Sequence, residues 1–418
     1  MSREDIEIMS PVGSYESLQA AIQAGAGSVY FGMENLNMRS KSSSNFTLRD
    51  MQTITEHCRR HGIKTYLTLN TVLYNEDLEE MRSITDAASE SGITAVIASD
   101  MAAIRYARSA GMEVHISTQL NISNTESLKF FAQFADVIVL ARELNLEQIK
   151  EIAQAIEEKN ISGPSGKPVR LELFIHGALC MAISGKCYLS LHQKNHSANR
   201  GKCLQICRRS YIVKDKESQR ELEIDNEYIM SPKDLATIGF LNKILDAGVQ
   251  VLKIEGRARS PEYVKTVTEC YREAVDAYFE GSYTEEKIKK WRSRLATVFN
   301  RGFWNGYYLG QKLGEWSHRY GSQATRRKIY VGRITNYYKK IKIAELLPEA
   351  NNVEVNDDIM IIGPTTGVIQ STVSEIRVDD KNAYTSTRKI KCSIPLSRQV
   401  RPRDKLYKVV DASEAQTQ

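Results

Sequence analysis

Hydrophobic and polar positions follow two different rhythms along the first 260 residues of the chain. Short continuous apolar runs indicate parallel strands that are covered on both faces, and apolar residues at every third or fourth position indicate amphipathic helices. Strands are predicted at 6–9, 29–32, 64–69, 95–99, 113–117, 137–141, 170–175 and 249–254, and helices between them at 15–24, 48–61, 78–91, 101–110 and 146–158. Eight strands that alternate with helices predict a (β/α)8 barrel of the TIM type.

A long insertion, at about residues 178–248, separates the seventh and eighth predicted strands. Its length is far beyond that of an ordinary loop between a strand and a helix. Within it we predict a hairpin formed by 211–213 and 221–224, followed by a helix over 234–247. Two amphipathic helices are predicted after the barrel, at 261–280 and 284–299, so the first domain is expected to cover residues 1–325.

Helical periodicity fades at about residue 325, which predicts a second domain at 326–418. Short β-rich runs punctuated by Gly and Pro follow, a pattern that favours a small closed β-barrel. These predicted strands lie at 329–333, 340–344, 358–362, 368–373, 383–386 and 405–410.

The net charge of +6 is distributed unevenly over the 418 residues. Residues 326–410 contain 17 Lys or Arg and nine Asp or Glu, so the small domain carries the whole basic surplus. Such a domain either has an ordinary soluble surface or binds an anionic polymer. The polar start of the chain, together with the lack of an apolar run near the ~18 residues of a membrane span, predicts a cytoplasmic protein without a membrane partner.

Four of the seven cysteines fall within the insertion, and their thiolates are soft metal ligands that suit an iron–sulfur cluster or zinc. Structural zinc usually takes its ligands from tight cysteine pairs, which fits this wide spacing poorly. Packing of buried thiols is the alternative. Residues 186–209 contain six Lys or Arg and no Asp or Glu, a charge that could offset a cluster or face a polyanion. We therefore predict a 4Fe–4S cluster bound by Cys180, Cys187, Cys203 and Cys207.

Polar residues follow the predicted strands, where barrel enzymes place their chemistry. Basic side chains at this mouth suit a small dicarboxylate, because guanidinium groups bind carboxylates through two hydrogen bonds. The alternative for Arg142 is an ion pair with Glu143 or another acid at the barrel end. A serine-hydrolase elbow (G-x-S-x-G) and a zinc-protease helix (H-E-x-x-H) are both missing from the sequence. The predicted substrate-binding residues are Arg257, Lys253, Arg142, Gln119 and Asn121, and the predicted catalytic residues are His176, Glu172 and Glu255.

Several sequence blocks resemble the collagenase-like peptidase family U32. They are ELFIHGALCMAISGKCYLS at 172–190, SPVG at 10–13, HISTQLN at 115–121, SPKDL at 231–235 and KIEGR at 253–257. The resemblance implies a barrel and an iron–sulfur cluster. It is strongest to the branch whose members hydroxylate the wobble uridine in the anticodon loop of tRNA to 5-hydroxyuridine, with prephenate as hydroxyl donor. Hydroxylation of another RNA such as ribosomal RNA, a collagenase-type peptidase and a scaffold without catalysis are the alternatives, and an oligomer or a paralogous partner is also left open.

Overall fold

A closed barrel forms the larger part of the molecule. The computed structural model describes residues 1–40, 46–212 and 230–413. Within them, the strands of the first sheet are β1 (Glu7–Pro11), β2 (Ser28–Phe31), β3 (Lys64–Leu69), β4 (Ala95–Ala98), β5 (Glu113–Ile116), β6 (Val137–Val139), β7 (Arg170–Gly177), β8 (Asp234–Ala236), β9 (Val251–Ile254) and β10 (Phe303–Trp304).

Strands β1 to β6 each pair in parallel with the next strand along the chain. Strand β9 pairs in parallel with both β7 and β1, which closes the ring of eight strands. The predicted (β/α)8 barrel is therefore confirmed. Strand β8 runs antiparallel to the end of β7, and β10 pairs with β8, so these two short strands extend the sheet beyond the barrel.

Several helices begin where a side chain satisfies a free backbone N–H group of the first turn. Asp100 accepts from the N–H of Ala102, and Asn145 accepts from the N–H of Gln148 in a capping box. None of the helices among the described residues has the length and apolar character needed to cross a membrane. The helices are α1 (Tyr15–Gln23), α2 (Leu48–Arg60), α3 (Leu78–Glu90), α4 (Met101–Ser109), α5 (Thr125–Ala132), α6 (Leu146–Glu158), α7 (Leu189–Lys194), α8 (Leu241–Asp246), α9 (Pro261–Phe279) and α10 (Glu285–Ala296).

The helix predicted over 234–247 is wrong in its first half. Residues Asp234–Ala236 form strand β8, and helix α8 begins only at Leu241. Backbone pairing with the end of β7 and with β10 overrides the local helical pattern. The hairpin predicted at 211–213 and 221–224 falls largely outside the described residues.

An antiparallel sheet of eight strands forms the C-terminal part, where six strands were predicted. The two that the sequence pattern missed, β15 and β17, are only three and four residues long. The sheet surrounds its own apolar core, and its strand order is β14-β13-β18-β11-β12-β17-β15-β16. In chain order the strands are β11 (Arg326–Tyr338), β12 (Ile343–Pro348), β13 (Asp358–Gly363), β14 (Gly367–Thr372), β15 (Ile376–Val378), β16 (Lys381–Ala383), β17 (Cys392–Pro395) and β18 (Lys405–Asp411).

The C-terminal sheet rests on helices α1 and α9 of the barrel. Gln23 donates to the carbonyl of Thr366 at 2.7 Å and accepts from the N–H of Val368 at 3.1 Å. Lys265 donates to the carbonyl of Val368, and Ala20 packs against apolar side chains of β13 and β14. None of these contact residues lines the cavity described below.

Candidate active site at the barrel mouth

A cavity of about 550 Å³ lies at the carboxyl ends of the barrel strands. Its floor consists of strand-end residues such as Thr68 and Lys253, and its cover consists of the segment after β7 that holds the four cysteines. The four cysteines and the polar strand ends, which the sequence predicted to lie together, therefore line the same cavity. Electrostatic interactions inside a protein cavity are stronger than in water, because the local dielectric constant is lower.

The lining is strongly cationic. Glu255 is the single carboxylate among its described residues, against eight basic side chains. A cavity with this imbalance favours an anionic occupant. The eight are Arg39, Arg142, Lys186, Arg208, Lys253, Arg257, Arg259 and Arg301.

Arg257 is buried without a carboxylate partner among the described residues. Its Nη1 donates to Oγ1 of Thr68 at 2.9 Å, and the group lies so close to Gly32 that any side chain there would collide with it. Burial lowers the pKa of Arg257 to about 10. A guanidinium group taken out of water needs a compensating anion, and the cavity in front of it is where one can bind.

Arg142 is another cation of the lining without a carboxylate partner in the described part of the chain. Its Nη1 donates to the carbonyl of Ala178 at 3.2 Å, and the guanidinium lies 3.9 Å from the centre of the Phe174 ring. Its buried Nε has no hydrogen-bond acceptor among the described atoms. The ion pair with Glu143, considered as an alternative from the sequence, is not formed, so this donor remains available to a ligand.

Lys253 and Glu172 form an ion pair inside the barrel. The Nζ of Lys253 lies 2.6 Å from Oε1 of Glu172, and the other carboxylate oxygen is 3.1 Å from Nδ1 of His115. Lys253 lines the cavity, whereas Glu172 is completely buried and is absent from its lining. Burial alone would raise the pKa of Glu172, but the charge of Lys253 and the contact with His115 hold it below its ordinary value.

Glu255 lines the cavity in an ion pair that the sequence did not suggest. Its Oε1 accepts from Nη2 of Arg39, which lies in the loop after β2, at 2.9 Å. Burial opposes ionisation, but Arg39 outweighs it and the pKa of Glu255 is lowered. The carboxylate is therefore ionised near neutral pH, so it suits electrostatic or basic roles rather than proton donation.

His176 does not reach the cavity. The pairing of β7 with β9 shifts register between Phe174 and His176, and this bulge turns the imidazole toward helix α9 instead of the barrel interior. Its Nδ1 lies 3.3 Å from the hydroxyl of Tyr271. Burial lowers its pKa to about 3, with the positive charge of Arg259 acting in the same direction, so the ring is neutral. The structure thus separates this predicted catalytic residue from the others.

Gln119 and Asn121 take different positions. Gln119 lines the cavity and accepts a hydrogen bond from the hydroxyl of Ser117. Asn121 has left-handed backbone geometry, and its amide donates to the carbonyl of Ser184 at 3.0 Å. Because Ser184 lies between two of the cysteines, Asn121 anchors the cysteine segment instead of facing the cavity.

All four predicted metal ligands line the same cavity. Cys180 is exposed and the other three are half-buried, and burial raises the pKa of Cys207 to about 11. Arg208, next to Cys207, donates to the carbonyls of Leu179 and Pro232 and so fixes this segment over the mouth. No three His, Cys, Asp or Glu side chains within residues 1–40, 46–212 and 230–413 are grouped as ligands of one metal ion.

That arrangement fits a cluster better than zinc. A zinc ion would require its sulfur ligands to meet about 2.3 Å from one point. In a cluster each thiolate binds a different iron, so four thiols can surround one space without meeting. The positive charge of the lining would also offset the negative charge of four thiolates.

Three features of the site were missed by the sequence analysis. His115 lies in a quoted sequence block but its contact with Glu172 depends on strands that are 57 residues apart. Arg39 belongs to a loop without any pattern. Buried Asp234 lies 3.7 Å from Arg259 and 3.5 Å from Arg301, which joins the extra strand β8 to the cavity wall.

The fold and the site define a class of protein: a (β/α)8 barrel whose cationic mouth is covered by a cysteine-rich segment. The chain belongs to peptidase family U32, whose profile matches residues 13–318. It is 60% identical to a Porphyromonas gingivalis protein named collagenase, over 98% of this chain and 99% of the relative.

Two further relatives carry RNA-related names. A Helicobacter pylori protein named tRNA hydroxylation protein P is 31% identical over 73% of this chain and 72% of the relative. An Escherichia coli protein named 23S rRNA 5-hydroxycytidine synthase is 37% identical over 67% of this chain and 41% of the relative. Within one family, then, the names divide between peptide cleavage and RNA hydroxylation.

Proposed function

We propose that this protein hydroxylates RNA, and that it converts the wobble uridine of tRNA to 5-hydroxyuridine with prephenate as hydroxyl donor. The observation that carries the proposal is the pair Arg142 and Arg257, a half-buried and a buried guanidinium group that line one cavity and have no carboxylate partners among the described residues. Prephenate has two carboxylates, and each guanidinium group can bind one through paired hydrogen bonds. The names of the Helicobacter and Escherichia relatives support the chemical class.

The cysteine segment is assigned a cofactor as part of the same proposal. Cys180, Cys187, Cys203 and Cys207 would hold a 4Fe–4S cluster, which supplies one-electron transfer when it is bound. The protein residues provide binding and orientation. Arg142 and Arg257 fix the dicarboxylate, Arg39 keeps Glu255 in place, and Arg208 holds the segment as a cover over the mouth.

The C-terminal sheet is proposed to hold the RNA. Its 17 basic residues against nine acidic ones supply the charge that a phosphate backbone requires. Tyr338 and Tyr384 on its surface are 45% and 66% exposed, which makes them available for stacking on unpaired bases. A target in an anticodon loop suits such a surface, because loop bases are unstacked and can enter a cavity.

The decisive experiment is nucleoside mass spectrometry of tRNA and 23S rRNA from a strain in which the gene is deleted. We expect 5-hydroxyuridine and its derivatives to disappear from tRNA and to return with the wild-type gene but not with Arg257→Met. Arg105→Met, which removes an exposed arginine of helix α4, is the matched control and should restore the modification. Unchanged 5-hydroxyuridine, in a strain without a second pathway, would refute the tRNA assignment, and a change confined to rRNA would redirect it.

Peptide cleavage is the second candidate, because the Porphyromonas relative is named collagenase. The geometry gives it little support. The described hydrogen bonds of the histidine rings go to Gln19, Glu172, Tyr271 and the carbonyl of Lys194, and none pairs a histidine with serine, threonine or cysteine. Cleavage of denatured collagen by anaerobically purified protein, with loss of activity in Arg257→Met, would establish it.

A further inference from the structure

One reactive group in the cavity has no role in the proposed function: the amine of Lys253. The side chain comes from barrel strand β9 and is only 4% exposed, yet it lines the cavity. Its Nζ lies 4.9 Å from the centre of the Tyr30 ring and 5.4 Å from that of Phe174. Aromatic walls on two sides keep bulk water away from the amine.

In the ion pair of Lys253, one carboxylate contacts two bases. Glu172 contacts Lys253 through one oxygen and His115 through the other. On its far side, Nε2 of His115 approaches Oε1 of Glu113 to 3.5 Å, and Glu113 is partly exposed at the opposite end of the barrel. If His115 carries the proton, Glu172 keeps a positive neighbour, and Lys253 can become a neutral amine without leaving a bare buried carboxylate.

The surrounding charges favour this protonation state, with a charged His115 and a neutral Lys253. Burial lowers the pKa of Lys253, Glu172 opposes this, and the nearby charges of Arg142 and Arg257 lower it further, so the pKa lies below its ordinary value. Burial would lower the pKa of His115, but Glu113 and Glu172 raise it above its ordinary value. A lysine that is desolvated and placed beside other cations is the usual form of an amine nucleophile.

We propose that Lys253 forms a Schiff base with a 2-oxo acid whose carboxylate is bound by Arg142 and Arg257. The nitrogen lone pair of the free amine attacks the carbonyl carbon, and the carbonyl electrons move to oxygen. That oxygen then leaves as water with the two hydrogens of the amine, and a C=N bond replaces the C=O bond. No atom changes its oxidation level, so the step needs no oxidant or reductant. It rests on the anion-binding role proposed for the cavity and is independent of the RNA.

The test is reductive trapping on the full-length protein purified without oxygen. Pyruvate, phenylpyruvate and 2-oxoglutarate are each added with sodium cyanoborohydride, and the modified lysines are mapped by peptide mass spectrometry. We expect the adduct at Lys253 to exceed that at Lys186, the other lysine of the lining, by about ten-fold, because the amine of Lys253 is desolvated and lies beside other cations. Lactate, which lacks the carbonyl group, should give none.

Two variants make the result specific. Lys186→Met should keep the adduct at Lys253, and Arg257→Met should keep the amine but require a higher concentration of the 2-oxo acid. Equal labelling of exposed lysines, or no label at Lys253 with any of the three acids, would overturn the Schiff base. Either result leaves the nucleoside analysis of tRNA unaffected, so the two proposals fail separately.

Discussion

Arg257 shows how burial and charge act against each other in this cavity. Its guanidinium is 6% exposed and bonds only to a hydroxyl among the described groups, so the unliganded protein bears an uncompensated desolvation cost. We expect Arg257→Met to weaken prephenate binding by about 10- to 100-fold, as loss of a charged hydrogen bond implies. The free energy of unfolding should stay within about 1 kcal/mol of wild type. Calorimetric titration and urea unfolding measure the two effects, with Arg105→Met as control, and a large loss of stability with intact binding would contradict the assignment.

Glu7, at the opposite end of the barrel, makes a prediction about pH. Burial alone would raise its pKa, but Lys64 at 2.9 Å, the hydroxyl of Tyr66 and Arg170 lower it to about 2. Because the folded-state pKa lies below the ordinary value of 4.5, the stabilisation is complete above pH 4.5 and is lost as the pH falls toward 2. The pKa difference corresponds to about 3 kcal/mol.

The variant Glu7→Gln should therefore reduce the change in unfolding free energy over this pH range by about 3 kcal/mol, the contribution of Glu7. Urea unfolding at a series of pH values gives the comparison, and Glu4→Gln, on an exposed residue of the same end, is the control. If Glu7→Gln keeps the wild-type dependence of unfolding free energy on pH, other carboxylates account for the acid sensitivity.

At the scale of single elements, the end of β7 packs closely against the backbone that follows β9. Gly177 has a φ of +105°, and a Cβ there would collide with the carbonyl oxygen of Glu255 and lie 2.8 Å from the hydroxyl of Tyr263. We expect Gly177→Ala to cost about 3 kcal/mol, since strained backbone and backbone collision act together. Gly62 also has a positive φ but open space around it, so Gly62→Ala should cost only about 1 kcal/mol. Urea unfolding of both variants separates the effect of the collision from that of the strained backbone. Equal losses of unfolding free energy would show that the collision at Gly177 contributes nothing.

The cysteine segment makes a second prediction at this scale. Changing any one of Cys180, Cys187, Cys203 or Cys207 to serine should abolish or destabilise the cluster, because a thiolate ligand is lost. Iron and sulfide analysis of anaerobically purified protein should give about four of each per chain in wild type. Cys392→Ser, which changes a buried cysteine of the C-terminal core, should retain both. Stoichiometric zinc without sulfide would instead establish a structural zinc segment.

At the scale of the whole molecule, the basic surplus lies in the C-terminal sheet, which is the part proposed to bind RNA. Lys339 and Lys340 are exposed at the turn between β11 and β12. Replacing both with Glu should weaken tRNA binding and reduce the dependence of log K on log salt concentration by about 1.4, for two contacts to single-stranded RNA. The same change at Arg59 and Arg60 on helix α2 should have little effect. Filter binding at several salt concentrations measures both double variants. Equal effects of the two would mean that binding follows net charge alone.

The sequence by itself determined the architecture and much of the site. The period of apolar residues is a local property, so it predicted the eight barrel strands and the change of fold near residue 325. Parallel strands end at one face of a barrel, so the strand-end residues and the cysteine segment were expected together. Lining positions for Arg142, Lys253, Glu255, Arg257 and Gln119 agree with that expectation, and their chemical roles stay predictions.

Only the tertiary structure decided how these groups are paired. Arg39 and Glu255 are 216 residues apart, and Glu172 and Lys253 are 81 apart, so no local pattern links them. A single register shift turned His176 away from the cavity, and pairing with β7 converted the start of a predicted helix into strand β8. Side-chain direction and charge compensation depend on contacts between distant elements, and such contacts exist only after the barrel has closed.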